Sequence, residues 1–161
     1  MKLTVRSTAF EAGQAIPKKY TGEGTDVSPA LSWSGAPAGT VEFALIMDDP
    51  DAPTPEPWVH WAIYKIPPTV TELKEALPRS EKLAEPAGTL QGQNTWPKKD
   101  GNLGYRGPMP PPKHGVHHYH FKVYALGQAV TLGPGATKKQ LLEAMKGQIL
   151  AEGELIGTYQ R

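Results

Sequence analysis

The 161-residue chain has no cysteine, which excludes disulfides and thiolate metal sites. It also lacks a dominant charge. With 17 basic and 16 acidic residues the net charge is +1, so no global field favours nucleic acid or an anionic membrane surface. No apolar run approaches the roughly 18 residues of a spanning helix, and Met1 to Phe10 carries no signal-like stretch. A Gly-x-Ser-x-Gly elbow, a phosphate-binding glycine loop and a dinucleotide fingerprint are missing as well. These absences predict a cytoplasmic protein without cofactor, nucleic-acid partner or integral membrane association.

What the chain has in excess is turn formers. There are 17 glycines and 17 prolines, about one residue in five where about one in eight is usual. They fall between apolar runs, as punctuation in a strand-rich domain does, while four Trp and six Tyr argue against disorder. The length suits a single domain, residues 1–161, able to bury roughly 68–70% of its unfolded surface.

The strand expectations are an extended segment at Leu3 to Val5, a short edge strand over Ile16 to Tyr20, and Leu31 to Trp33. Val41 to Met47 is nearly all apolar and reads as central, followed by Trp58 to Ile66 and Tyr119 to Leu126. Thr69 to Leu77 reads as one helical turn. A helix opens at Thr137, where Thr137-Lys138-Lys139-Gln140 fits a capping box and Leu141, Leu142, Met145 and Ile149 recur at helical spacing. Gly153 is expected to separate that helix from a last strand, Glu154 to Tyr159. Ser80 to Asn102 is long, polar and poorly patterned. Many short strands with one late helix predict an all-β sandwich.

Two clusters of acid, imidazole and proline sit at strand ends, where no core needs them. The first is Asp48-Asp49-Pro50-Asp51-Ala52-Pro53 with His60; the second is Gly107 to Pro112 with His117, His118 and Tyr119. Strand alternation places His117, Tyr119, Phe121 and Val123 inward, leaving His118 and His120 on the other side. The same count groups Trp58, His60, Ala62 and Tyr64, and separately Phe43, Leu45, Met47 and Asp49. Asp49, His60 and His117 can each occupy the polar end of an apolar face, as two halves of one pocket. Asp51 reads equally as a turn former, and Ala52-Pro53 is a candidate cis bond. His118 and His120 read as a solvated face ahead of a metal pair. Two imidazoles beside turn amides suit a small anion, and Asp49 is expected to raise the pKa of a neighbouring histidine. Anion affinity would then fall as pH rises.

Asp49-Pro50-Asp51-Ala52-Pro53, Trp58-Val59-His60-Trp61, Gly107-Pro108-Met109-Pro110-Pro111 and Gly115-Val116-His117-His118-Tyr119 resemble the two signature regions of the phosphatidylethanolamine-binding protein family. Ile16 to Thr21, Ser28 to Leu31 and Gly153 to Tyr159 are similar to its compact bacterial and archaeal, Raf-kinase-inhibitor-like branch, so the resemblance covers essentially the whole chain. It implies a two-sheet antiparallel β-sandwich with Greek-key links and one or two short peripheral helices. It also implies a pocket for phosphate or a phosphoethanolamine head group, lined by Asp49, Pro53, Trp58, His60, Gly107, Pro108, Met109, Pro110, His117 and Tyr119; the residues themselves suit a carboxylate equally and offer no expected metal site.

The resemblance has departures. His118 stands where the family usually has arginine, and Met109 and Gly22 stand where bacterial relatives often carry cysteine. The long C-terminal extension that helps close the pocket of eukaryotic members is absent, which implies a more open site. The leading expectation is a non-enzymatic protein that binds a small anion. The alternatives are an inhibitor of a protease or kinase acting through the proline-stiffened Pro50 to Pro57 loop, and an Asp/His hydrolase, which lacks a nucleophile. A homodimer is expected from the relatives.

Overall fold

The computed structural model describes residues 2–161. Two antiparallel sheets form the sandwich. The larger is ordered β6-β4-β3-β7-β8 and the smaller β1-β2-β5. In chain order the strands are β1 (Thr4–Arg6), β2 (Leu31–Ser34), β3 (Glu42–Asp49), β4 (Trp58–Ile66), β5 (Glu72–Leu73), β6 (Leu90–Gln91), β7 (His117–Leu126) and β8 (Ile149–Tyr159). Helix α1 (Lys138–Met145) lies between β7 and β8 in the chain. The chain crosses between sheets from β2 to β3, β4 to β5 and β5 to β6, so β3 lies beside the distant β7.

β3 is central because both of its faces are covered, which is why its sequence is a nearly unbroken apolar run. Phe43, Leu45 and Met47 pack with Leu31, Trp33 and Leu73 of the small sheet, and with Trp61, Ile63, Phe121 and Val123 of their own. Ala44 and Ile46 face the other way, joining Ala62, Tyr64 and Leu126 under Leu141 and Met145 of α1. Each fully buried large side chain contributes roughly 1.5–3 kcal/mol. The register holds β3 on β7 from Glu42↔Leu126 to Asp48↔His120, which carries two aspartates into the strand.

The helix starts where its cap predicts. Thr137 Oγ1 accepts from the Gln140 amide at 3.2 Å, and Gln140 Oε1 accepts from the Thr137 amide at 2.9 Å. It ends at Met145, with Gly147 in the left-handed region (φ 79°) just beyond, so Ile149 belongs to β8 and not to the helix. Gly153 lies inside β8. A Cβ there would stand 2.0 Å from the Leu3 carbonyl oxygen, so the glycine admits the N-terminal segment where Leu3 donates to Glu152.

Three further expectations are corrected. Ile16 to Tyr20 is no strand: Pro17 opens a 3-10 turn over Lys18–Tyr20, closed by the Tyr20 amide on the Pro17 carbonyl. Thr69 to Leu77 holds no helical turn; Glu72 and Leu73 pair with the free edge of β2, with Leu73 inward opposite Leu31. The cis bond among the described residues is Glu85-Pro86, not Ala52-Pro53. The unpatterned Ser80 to Asn102 stretch supplies β6 and a 3-10 turn at Lys98–Asp100. No helix among the described residues is long and apolar enough to cross a membrane.

Candidate functional site

Three stretches of chain meet at one end of the large sheet: the end of β3, the start of β4 and the start of β7. They surround a cavity of about 250 Å³ lined by Asp49, Ala52, Pro53, Thr54, Trp58, His60, Trp96, Met109, Pro110, Pro111, His117 and Tyr119. Eight of the ten residues singled out in the sequence lie on this lining. Gly107 and Pro108 stand behind it as anchors. The Gly107 amide donates to Asp26 Oδ1 at 2.7 Å, and the Pro108 carbonyl accepts from Gly22 at 2.9 Å. A Cβ on Gly107 would lie 2.0 Å from the Tyr20 carbonyl oxygen, so only glycine allows the loop to sit there. Met109 packs directly on Gly22, where an added Cβ would be 2.8 Å from Sδ.

A bulge in β4 decides where His60 points. Met47 pairs with Trp61 and Asp48 with Val59, so His60 is one residue extra. Plain alternation grouped His60 with Ala62 and Tyr64, which belong to the helix-side core. The extra residue instead turns its ring onto Tyr119 (5.1 Å between centroids) and Trp96 (5.0 Å), on the pocket side. Beyond the bulge Trp58 pairs with Asp49, bringing the indole to the pocket wall beside Trp96.

The polar floor is a chain of hydrogen bonds. Asp49 Oδ2 accepts from His117 Nδ1 at 2.7 Å, and these side chains are 4% and 1% exposed. Asp49 Oδ1 accepts from the Asp51 amide at 2.8 Å. The other ring nitrogen of His117, Nε2, lies 2.6 Å from Nδ1 of the exposed His114. A carboxylate can only accept, so His117 carries a proton on Nδ1, and its Nε2 shares a hydrogen with His114 Nδ1. His60 gives its Nδ1 proton to the Arg106 carbonyl at 2.6 Å.

The two inward histidines therefore differ from the expected pair of anion donors. Burial drives the His60 pKa down to about 4, against smaller opposing contributions from the Arg106 carbonyl and Asp49. The expected raised pKa does not hold for this ring, which is neutral near pH 7. Burial, followed by the neighbouring Asp49 charge, pushes the Tyr119 phenol up, so its hydroxyl keeps its proton. Among the described residues no lysine or arginine lines the cavity.

Around this floor several groups escaped sequence reasoning. His114 was passed over although it sits three residues before His117 in the same loop. Trp96 lay in the unpatterned stretch, where a lone tryptophan among polar residues was the available signal. Asp26, at φ 60°, holds Gly107 and lies 3.3 Å from Arg79 and 3.5 Å from Arg106, whose guanidinium covers Trp96 at 5.0 Å. Outside the cavity, His118 pairs with Asp51 at 2.8 Å and His120 with Glu154 at 3.1 Å. No cluster among the described residues has three side chains placed to hold a metal.

A family model described as phosphatidylethanolamine-binding protein matches residues 6–160. The chain is 46% identical over 159 residues to a UPF0098 protein of Methanothermobacter thermautotrophicus, covering 99% of each. It is 45% identical over 160 residues to a UPF0098 protein of Aquifex aeolicus, covering 99% of this chain and 89% of that one. Among solved structures, an Escherichia coli protein described as a new member of the mammalian PEBP family superposes with a TM-score of 0.89 at 32% identity, over 100% and 99% of the two chains. A PEBP homologue from Chlamydia trachomatis gives 0.85 at 38% identity, over 99% and 98%.

Proposed function

Since the chain belongs to the phosphatidylethanolamine-binding protein family, we propose that it is a non-enzymatic binding protein whose cavity takes a small acidic group, a phosphate monoester such as phosphoethanolamine or a carboxylate. The observation that carries this reading is the convergence of Asp49, His60, His117 and Tyr119 on the floor of one cavity with a stiff aromatic and proline wall. Trp58, Trp96, Pro53, Pro110 and Pro111 give the wall shape before any ligand arrives, which lowers the entropy lost on binding. The cavity's size suits a head group and not an acyl chain. Calorimetric titration with methyl phosphate, phosphoethanolamine and acetate at pH 6 is expected to give saturable binding. His60→Ala should weaken it at least tenfold. A flat response to all three compounds sinks the proposal.

A second reading, modulation of a partner enzyme, is supported by the exposed proline loop. Asp51 and Pro53 to Pro57 are exposed, and Thr54 to Pro57 border a groove running past Trp58 to Lys138, Lys139 and Lys146 around α1. A protein target would meet the cavity mouth and this groove together. Unchanged rates across a panel of serine proteases, carboxypeptidases and protein kinases would remove it.

A further inference from the structure

We propose that the cavity takes its acidic guest together with one proton, so that its ligands are groups able to retain an ionisable hydrogen, a phosphate monoester as monoanion or a carboxylic acid, in preference to a permanently ionised anion. The inference deepens the anion reading given above and rests on it.

The geometry leaves the two histidines of the floor without a spare donor. His117 uses Nδ1 on Asp49 and Nε2 on His114. His60 uses its N–H on the Arg106 carbonyl, and its remaining nitrogen, Nε2, bears only a lone pair. Tyr119 keeps its hydroxyl hydrogen beside Asp49, whose charge adds to the effect of burial. Asp49 itself only accepts, and among the described residues no lysine or arginine lines the wall. A dianion entering this space would face a carboxylate and lone pairs in a poorly screened cavity. A guest with one O–H can instead donate to His60 Nε2, while its other oxygens meet the mouth. The balance is simple: dianion plus one proton from solvent gives bound monoanion, with the proton held between guest oxygen and His60 Nε2.

The surrounding charged and titratable groups support this assignment. His60 faces Asp49 and Tyr119 within the pocket, with Arg106 and Asp26 behind its wall. His117 faces Asp49, His114 and Tyr119, with Tyr159 opposite it on β8. Asp51 and His118 pair with each other at the rim, and Arg161 donates to the Pro110 carbonyl. Burial holds His60 neutral down to about pH 4, which keeps Nε2 an acceptor over the useful range.

Calorimetry on the intact protein decides the matter, run between pH 5.5 and 8.5 in buffers of differing ionisation enthalpy. The probes are methyl phosphate, whose second pKa is about 6, and dimethyl phosphate, a monoanion with no acidic hydrogen. Expected are uptake of about one proton per methyl phosphate above pH 7 and a Kd that rises about tenfold per pH unit there. Dimethyl phosphate should bind at least tenfold more weakly than methyl phosphate at pH 6. His60→Phe, which keeps a ring and removes both nitrogens, should flatten the pH slope and narrow the gap between the two probes.

A methyl phosphate Kd that stays level or tightens from pH 6 to 8, with no proton uptake, overturns the inference while leaving the anion pocket standing. So does a full slope retained in His60→Phe. Saturable binding of methylammonium with no response to either phosphate would sink the anion reading itself, because an ammonium meets the same acceptors.

Discussion

Asp48 and Asp49 are consecutive residues of one strand, both buried, and they are satisfied in opposite ways on opposite faces of the sheet. Asp48 points to the helix side, where Lys138 Nζ lies 2.6 Å away and Lys122 Nζ 3.8 Å away. Two permanent cations close that site and leave it nothing to do but hold α1 on the sheet. Asp49 points to the cavity, where it meets ring and amide N–H groups and no fixed cation. A carboxylate held by cations is structural ballast at any pH near neutrality. One held by imidazole and amide N–H groups keeps a local negative potential and so controls which protonation state of a guest is admitted. The difference teaches where chemistry is possible on this sheet: the pocket face has polar groups that are buried, connected and still open.

The strongest way to stress that contrast is acid. His60 is buried and neutral, with its pKa lowered from 6.5 to about 4. Between those values the unfolded chain binds a proton that the folded chain refuses, so stability falls as pH drops from 6.5 towards 4 and levels off below. The window is worth about 3 kcal/mol at most, from the size of the shift. Urea midpoints at pH 7, 5.5 and 4.5 should fall steadily, ahead of general carboxylate protonation. In His60→Gln the decline over that window should shrink by more than half. An equal decline in the variant would mean that the pocket face is not the acid-sensitive one.

The next test acts on the other face. Asp48→Asn keeps the shape and removes the charge that Lys138 and Lys122 share. Both lysines can turn to solvent, so the loss is below that of a stranded buried ion, about 1–3 kcal/mol by denaturant unfolding. Methyl phosphate affinity at pH 6 should stay within about twofold, since roughly 1.4 kcal/mol would be needed for a tenfold change. A tenfold loss of binding would show that the two faces communicate through β3, and the contrast drawn above would fail.

How far these two faces could be read from the sequence differs as well. The pocket face was legible because Asp49, His117 and Tyr119 follow strand alternation and stand at the ends of apolar runs. His60 reached the same cavity by a bulge, which period-two counting cannot see, because the extra residue shows only when the partner strand's register is known. His114 and Trp96 come from loops whose course is set by tertiary contacts. The same applies to the errors in the fold. The Lys18–Tyr20 turn and the Glu72–Leu73 strand are too short for local pattern to decide, and a free edge on β2 settled the second. Gly153 looked like a break because a glycine in a strand is costly; the approach of the Leu3 carbonyl, its actual reason, is a contact across 150 positions of chain. The helix cap, by contrast, is wholly local, and it was read residue for residue.

That locality makes the cap the finest probe of the helix face. Thr137→Ala removes the side-chain acceptor of the Gln140 amide and should cost about 1 kcal/mol. Lys138, the next residue, is the one that reaches Asp48, so the cap and the ion pair act on one another. If the cap serves to aim Lys138, the double variant Thr137→Ala with Asp48→Asn should cost less than the two singles together, by about 0.5 kcal/mol or more. Strict additivity would mean that the helix end is held by its own turn alone. In either case methyl phosphate binding should not move, because neither side chain lines the cavity and the sheet between them is packed on both sides.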